Sequence, residues 1–247
     1  MKICLSFDDG RDDQYFNAYQ ILKSHNLVGT FHITTGFIDG SFNEQCFGKD
    51  RKPLTIKQLQ EMHNSEMEIS SHGDKHITDC KDFLTSIEKL KSWGIDKKKY
   101  GFSVPNSEFT EEEINSFRDA LKDTLSYVRL GRHPKCYTFV NKIRFVLYHK
   151  FHFFHAFNLF NKNNLIIPKN DCLFYSLVIR KSTRSKDLIR FIEKHSSEEC
   201  ILVIMFHSVV DVPTNTWEWG KGEFVALCEY LEARKDTLMV TTLEKNV

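Results

Sequence analysis

The chain contains no Cys-x-x-Cys pair, although seven cysteines are distributed along its 247 residues. Structural zinc sites usually draw on closely spaced cysteines, so the sequence argues against such a site. The odd number and wide scatter of the cysteines also argue against a disulfide framework. No apolar run approaches the roughly 20 residues that a transmembrane helix requires.

No signal-peptide pattern is visible, and we expect none, because the first predicted strand and its polar residues begin almost at the first residue. We therefore expect a cytoplasmic location, with membrane association as an open hypothesis. The net charge of +1 gives no general attraction to nucleic acid, and we expect no nucleic-acid partner. The length fits one barrel-sized domain over residues 1–247, whereas the oligomeric state is not indicated.

Acidic residues are absent from 124–170, a stretch that is rich in aromatic residues and carries four histidines. Its basic residues are Arg129, Arg132, Lys135, Lys142, Arg144, Lys150, Lys162 and Lys169. Apolar residues recur at helical spacing at Val140, Ile143, Leu147, Phe151 and Phe154. We interpret 132–169 either as an insertion packed on the rest of the domain or as a basic amphipathic element. In the second case, 135–165 would contact an anionic membrane surface or an anionic substrate.

Strand-like and helix-like segments alternate along the rest of the chain, which predicts a parallel sheet with right-handed crossovers. The predicted strands cover 2–7, 28–33, 67–70, 102–104, 126–130, 173–179, 201–206 and 238–241. Residues 36–51 are predicted to form a loop. Thr110 and Glu113 form a capping-box pattern, and Asp12 and Asp13 are expected to cap a helix that begins near Gln14.

Two adjacent carboxylates, Asp8 and Asp9, follow the first apolar strand and precede Gly10, which permits a sharp turn. Carboxylates placed this closely repel each other unless a cation lies beside them. A metal ion satisfies this need, because it binds one carboxylate and leaves the other free to act as a base. A solvated Asp-Asp-Gly turn is the alternative, but a buried strand in front of it makes that alternative weaker.

Two further strands end in histidine. His72 and His76 follow the third predicted strand, and Gly73 between them disfavours a helix. His207 directly follows the apolar run 201–206, which is typical of a strand buried on both faces. Two imidazoles and one carboxylate give three protein ligands and leave open positions, as in catalytic metal sites. Because the carboxyl ends of parallel strands share one side of the fold, these residues could converge.

These three segments resemble the motifs of the polysaccharide deacetylase family, also known as carbohydrate esterase family four. Ser6–Gly10 matches its Thr/Ser-Phe-Asp-Asp-Gly motif, and Leu202–His207 matches its last apolar strand. His72–His76 matches its His-Ser/Thr-x-x-His motif, with Gly73 in place of the hydroxyl residue. The resemblance implies an α/β fold, a distorted (β/α) barrel of parallel strands with its active site at the carboxyl ends of the strands.

The chain departs from the family in its third motif, Arg-x-Pro-Tyr/Phe. Pro105 aligns with it, but Ser103 stands where the family has arginine and Asn106 where it has an aromatic residue. An Asp-x-x-Asp-Trp motif is not found between Pro105 and Ile201. We interpret the change as a difference between branches of the family rather than a loss of activity. It leaves no residue assigned to orient Asp8.

With the resemblance, Asp9, His72 and His76 are assigned as ligands of one divalent metal ion, with zinc expected. Asp8 is assigned as the general base and His207 as the general acid. The implied activity is removal of N-acetyl groups from an amino sugar or glycan, with a lipid-linked sugar as one form of this carbohydrate substrate.

Four residues are expected to bind substrate: Pro105, Asn106, Trp217 and Trp219. The two tryptophans follow the His207 strand closely, and their rings could stack on a sugar or pack against neighbouring loops. Two rival functions remain open at this point, and nucleic-acid binding through the basic segment is a weaker third. One is a catalytically silent glycan-binding barrel, and the other is a deformylase of a lipid-linked amino sugar.

Overall fold

The computed structural model of the chain describes residues 1–42, 51–107, 110–167 and 172–247. Parallel strands form a central sheet that helices surround. The strands in the described residues are β1 (Lys2–Phe7), β2 (Thr30–Ile33), β3 (Glu68–Ser71), β4 (Tyr100–Ser103), β5 (Leu125–Arg129), β6 (Leu173–Phe174), β7 (Ser176–Val178), β8 (Ile201–Phe206), β9 (Ser208–Val210), β10 (Glu218–Gly220) and β11 (Met239–Val240).

A π-helix at Gln14–Tyr19 runs directly into the first α-helix. The α-helices in the described residues are α1 (Gln20–Ser24), α2 (Thr35–Asp39), α3 (Ile56–Asn64), α4 (Cys80–Ser92), α5 (Glu111–Ala120), α6 (Phe139–Phe151), α7 (Phe154–Asn161), α8 (Ser185–His195) and α9 (Lys221–Ala233). None of these helices is long and apolar enough to cross a membrane.

The sheet is nearly closed into a distorted barrel, as the family resemblance implies. Its strand order is β6-β5-β4-β3-β2-β1-β8-β7, and β11 also pairs with β1. Only Tyr175 separates β6 from β7. Strand β6 pairs with β5, whereas β7 pairs with β8. The prediction of one strand over 173–179 is wrong, because the segment changes partners at Tyr175.

Successive side chains of strand β1 alternate between the two faces of the barrel wall. Phe7 stacks on Phe31 and Phe206 of the flanking strands, with ring centroids 4.6 and 5.0 Å apart. The preceding residue, Ser6, points to the opposite face, where its hydroxyl bonds His32 Nδ1 at 3.3 Å. The helix-facing side of the sheet is therefore apolar here, and the inner side carries polar groups.

Two helix starts test the capping predictions. The capping box of Thr110 at α5 is confirmed. The prediction for Asp13 is wrong, because its carboxylate makes no cap bond and instead accepts from Ser208 Oγ at 3.2 Å and Val209 N–H at 2.8 Å. Asp13 thus joins the first turn to the chain after β8.

Helix α2 occupies the beginning of the segment predicted as a loop over 36–51. Its short turn buries Phe37 and ends at Gly40, whose φ of 76° lies in the left-handed region. The loop prediction is therefore wrong up to Asp39, and its part over 43–50 lies outside the described residues.

The segment 132–169, where it is described, includes α6 and α7, which pack against the barrel. Of the predicted apolar stripe, Leu147 and Phe154 contact the core, whereas Val140, Ile143 and Phe151 are exposed. The buried face of α6 instead includes Tyr148, whose hydroxyl donates to Asp187 Oδ2 of α8 at 3.2 Å. The segment is thus packed on the barrel and also keeps apolar side chains in solvent.

Candidate metal centre and active site

The five residues predicted to carry the chemistry meet at the carboxyl ends of β1, β3 and β8. Asp8, Asp9, His72, His76 and His207 line one cleft of about 390 Å³. The other residues of this cleft are Arg11, Val104, Asn106, Ser107, Gly131, Arg132, Tyr137, Val178, Arg180, Met205 and Trp217. The convergence follows from the parallel sheet, since every strand delivers its last residue to the same side.

Asp9, His72 and His76 form a compact group in which one ligand atom from each lies within 4.8 Å of the others. Asp9 Oδ1 is 3.6 Å from His72 Nε2 and 4.0 Å from His76 Nε2. All three side chains are buried. One carboxylate oxygen and two imidazole nitrogens fit a divalent first-row metal and leave coordination positions open.

Neighbouring groups orient these donor atoms. Arg11 holds the other oxygen of Asp9 at 2.7 Å, which turns Oδ1 toward the histidines. His72 Nδ1 lies 2.8 Å from the Ser103 carbonyl, which accepts its hydrogen and leaves the Nε2 lone pair free for a metal. Burial lowers the pKa of His72 to about 4, so the ring is neutral at pH 7. Burial opposes ionisation of Asp9, but Arg11 together with His207 and His72 outweighs it and lowers the pKa of that carboxyl.

The backbone around the group adopts left-handed conformations at several positions. Asp9 and His76 have φ values of 84° and 55°, which non-glycine residues rarely adopt. Gly73 has a φ of 83°, and a Cβ there would lie 2.4 Å from Asp82 Oδ2. That carboxylate also accepts the backbone N–H of Asp74 at 2.8 Å. Gly73 therefore replaces the family's hydroxyl residue because the Asp82 carboxylate fills the space of a side chain.

Arg129, at the end of β5, supplies the cation that the third motif lacks. Its guanidinium donates to Asp8 Oδ1 and to Ser103 Oγ, and Ser103 Oγ lies 3.3 Å from the same Asp8 oxygen. Arg129 and Ser103 are register partners on the adjacent strands β5 and β4. The arginine that the family motif would place at position 103 is therefore replaced by one on the neighbouring strand. Burial opposes ionisation of Asp8, yet Arg129 together with the nearby histidines outweighs it, and the pKa of Asp8 lies well below its ordinary value.

Sequence reasoning missed this role, because Arg129 was counted with the basic residues of 124–170. Its side chain is 0% exposed and contacts Asp8 inside the barrel, so it is not part of a basic surface. A signal was available in the sequence, since Arg129 is the one charged residue within the predicted strand 126–130. A cation at that position is buried only when an anion compensates it.

A polar network continues below Asp8 into the barrel. His32 Nδ1 lies 3.7 Å from Asp8 Oδ1, and its Nε2 lies 3.0 Å from the Tyr127 hydroxyl. Tyr127 donates in turn to Glu68 Oε1 at 2.6 Å. Burial lowers the pKa of His32 well below its usual range, so the ring is neutral. These hydrogen bonds hold His32 in place beneath Asp8, but they do not extend to the Asp8 carboxylate, because 3.7 Å is too long for a hydrogen bond.

His207 faces the cleft from the end of β8, with its ring 4.8 Å from the Trp217 ring. The Gln14 side-chain amide donates to the His207 carbonyl at 2.8 Å and also to the Asp8 carbonyl, which ties the ends of β8 and β1 together. Burial lowers the pKa of His207, although Asp9 and Asp8 oppose this. Its Nδ1 is buried without a hydrogen-bond partner among the described residues.

Two of the four predicted substrate-binding residues do not reach the cleft. Pro105 is buried beneath the turn that presents Asn106. Trp219 is 1% exposed, packs at a tilt against the Phe206 ring and donates its indole N–H to the Thr183 carbonyl at 2.7 Å. Its position on β10 points it into the core, so the substrate role predicted for it is wrong. Asn106 and Trp217 do line the cleft.

Known proteins share sequence features and the fold with this chain. A family model described as polysaccharide deacetylase matches residues 1–137. A family 4 carbohydrate esterase from Streptomyces lividans, solved with acetate, is 12% identical with a TM-score of 0.55, over 99% of this chain and 95% of that one. A family 4 acetyl xylan esterase from Clostridium thermocellum, solved with a cobalt ion, is 15% identical with a TM-score of 0.53, over 99% and 89%.

The deacetylase PplD of Streptococcus pyogenes, solved with acetate, is 21% identical with a TM-score of 0.43. That match covers 53% of this chain and 56% of the other, so the present chain spans little more than half of that relative. No curated protein matches the chain. Because the family model covers more than half of the sequence and the barrel is shared with the two esterases, the chain belongs to the polysaccharide deacetylase family.

Proposed function

We propose that the chain is a metal-dependent hydrolase that removes N-acetyl groups from an amino sugar within a glycan. The observation that supports this proposal most directly is that the two adjacent carboxylates lie in different surroundings. Asp9 is fixed by Arg11 and faces two imidazoles, whereas Asp8 is fixed by Arg129 and remains outside the ligand group. Membership in the deacetylase family and the cobalt ion bound by the Clostridium thermocellum esterase support the proposal.

Asp9, His72 and His76 would hold the divalent ion, for which zinc is our choice. When bound, such an ion polarises an acyl carbonyl and increases the acidity of water. Asp8, held ionised by Arg129, accepts a proton from the water that attacks the carbonyl carbon. His207 donates a proton to the nitrogen as the carbon–nitrogen bond breaks, which releases acetate and a free amine. We assign the backbone N–H of Asn106, on the cleft wall, to the charge that develops on the carbonyl oxygen.

The test is release of small acids from N-acylated amino-sugar oligomers, measured with and without a strong chelator. We expect acetate release that stops on chelation and returns when zinc is added. His72→Ala should lose both bound metal and activity. The matched control is His63→Ala, which changes a histidine outside the cleft.

Other outcomes would select a rival function. Formate release in place of acetate would identify a deformylase. Sugar binding without release of either acid would identify a silent glycan-binding barrel. Acetate release that resists the chelator would refute metal dependence.

We further propose that α6 contacts an anionic membrane surface, which would bring the cleft to a lipid-linked sugar on the cytoplasmic side. The support is a group of exposed apolar side chains among basic ones. Phe139 is 78% exposed, and Val140, Ile143, Val146 and Phe151 are also exposed. The exposed basic residues Lys135, Lys142 and Lys150 lie among them, and no acidic residue occurs over 124–170.

Sedimentation with vesicles tests this contact. We expect the protein to bind vesicles that contain phosphatidylglycerol and to remain unbound with pure phosphatidylcholine. Phe139→Ser should weaken binding several-fold, by removing apolar area from the contact. Phe16→Ser, at a phenylalanine that is 60% exposed on the π-helix, is the matched control and should bind normally. Equal loss in both variants, or no binding at all, would contradict the proposal.

A further inference from the structure

Two arginines in the cleft have no part in the chemistry described above. Arg132 and Arg180 both line it, and both are half-buried. Within the residues that the structure describes, neither guanidinium lies within 4.0 Å of a carboxylate oxygen. The carboxylates on the cleft wall, Asp8 and Asp9, are already paired with Arg129 and Arg11.

Aromatic rings, and not acidic groups, hold the two arginines in place. Both guanidinium carbons lie over the Phe145 ring, at 4.9 Å for Arg132 and 5.0 Å for Arg180. Arg180 also lies 4.6 Å from the Trp217 ring, which faces the same cleft. The Nε atoms of both arginines are buried and have no hydrogen-bond partner in the part of the chain that the structure describes. The cations are therefore fixed in position while part of their hydrogen-bonding capacity is unused.

No acidic group over 1–42, 51–107, 110–167 or 172–247 pairs with the positive charge at this end of the cleft. Burial, reinforced by Arg180, lowers the pKa of Arg132 to about 10. Burial, reinforced by Arg180 and Arg132, lowers the pKa of His149 to about 3. Fixed, partly desolvated cations are unfavourable until an anion pairs with them. Planar guanidinium groups match the oxygens of phosphate and carboxylate, and hydrogen bonds between such charged partners are among the strongest in proteins.

We propose that Arg132 and Arg180 form a subsite for an anionic group of the substrate, a phosphate or a carboxylate carried by the sugar or by its neighbour in the glycan. Tyr137 and Trp217, which are exposed on the same wall, offer ring faces to the sugar that carries this group. Assignment of the anion to the substrate rests on the proposed function, whereas the existence of the subsite does not.

Calorimetric titration of the zinc-loaded protein tests the subsite without turnover. The probes are glucose 1-phosphate, glucuronic acid and glucose, which present a phosphate, a carboxylate and no charge. We expect at least one anionic sugar to bind roughly tenfold or more tightly than glucose at low salt. This preference should shrink when the ionic strength rises to about 0.5 M or above. The same titration after chelator treatment separates phosphate held by zinc from phosphate held by the arginines.

Variants assign the binding to the two arginines. Arg180→Gln and Arg132→Gln should each reduce the preference for the anionic sugar several-fold, and Arg180→Lys should retain part of it. The matched control is Arg190→Gln, because Arg190 also lies over an aromatic ring, Phe154 at 4.0 Å, but is outside the cleft. Thermal melts establish that each variant is folded. If Arg180→Gln does not fold, Arg180→Lys and Arg132→Gln carry the test.

Three results would overturn the proposal: equal binding of charged and neutral sugars, an unchanged preference in the folded glutamine variants, or an equal loss in Arg190→Gln. A second measurement distinguishes this failure from failure of the proposed function. Acetate release is compared between N-acetylglucosamine oligomers with and without a phosphate substituent. Anion binding without acetate release would preserve the subsite and refute the deacetylase. Acetate release without an anion preference would support the deacetylase and refute the subsite.

Discussion

Asp8→Asn is expected to lower the rate of acetate release by a factor of about 100 or more while leaving metal binding intact. An amide has the shape of the carboxylate but cannot accept the proton from the attacking water. Asp8 is outside the group formed by Asp9, His72 and His76, so the ligands keep their geometry. Turnover and metal content, measured on the same preparation, give the two readouts.

Asp12→Asn is the control for this variant, because Asp12 lies in the same turn but does not line the cleft. It should retain near-normal turnover. Full activity in Asp8→Asn would contradict the assignment of the base. Loss of metal together with activity would show that Asp8 belongs to the ligand set.

Arg129→Met should lower the free energy of unfolding by roughly 3–5 kcal/mol and also reduce activity. Methionine fills part of the space but leaves the Asp8 carboxylate buried without its cation. The lost ion pair is fully buried, so solvent does not screen the change. Chemical denaturation monitored by tryptophan fluorescence measures the stability, and acetate release measures the activity.

The double variant Asp8→Asn with Arg129→Met separates the ion pair from simple packing. If the unpaired carboxylate causes the loss, the double variant should be more stable than Arg129→Met alone. Arg190→Met serves as a control for removal of an arginine that stacks on a ring. A loss of about 1 kcal/mol or less in Arg129→Met, as for a surface pair, would contradict this account.

The residues of the candidate site could be predicted from the local sequence. Each of β1, β3 and β8 is a buried run followed directly by Asp or His, and the parallel sheet places these residues together. Pairing between strands could not be read in the same way. Nothing local to Arg129 indicates that its guanidinium crosses to β1, because that depends on its register beside Ser103.

The wrong predictions have a related cause. Trp217 and Trp219 both follow β8, and their spacing in the sequence does not show which of the two faces the core. The pairing of β10 with β9 decides it, by turning Trp219 inward and leaving Trp217 41% exposed. The break at Tyr175 likewise depends on two different partner strands. Both results depend on which strands pair in the folded protein, and the local sequence pattern does not show that pairing.

The direct pairing of β1 with β8 has a consequence for biosynthesis. Phe7 lies beside Phe206, so the proposed base after the first residue and the proposed acid after the second are neighbours contributed by segments far apart in the sequence. During synthesis, the segments that carry Asp9, His72 and His76 emerge well before the one that carries His207. The full candidate site therefore forms only after the slow closure of a contact between distant parts of the sequence.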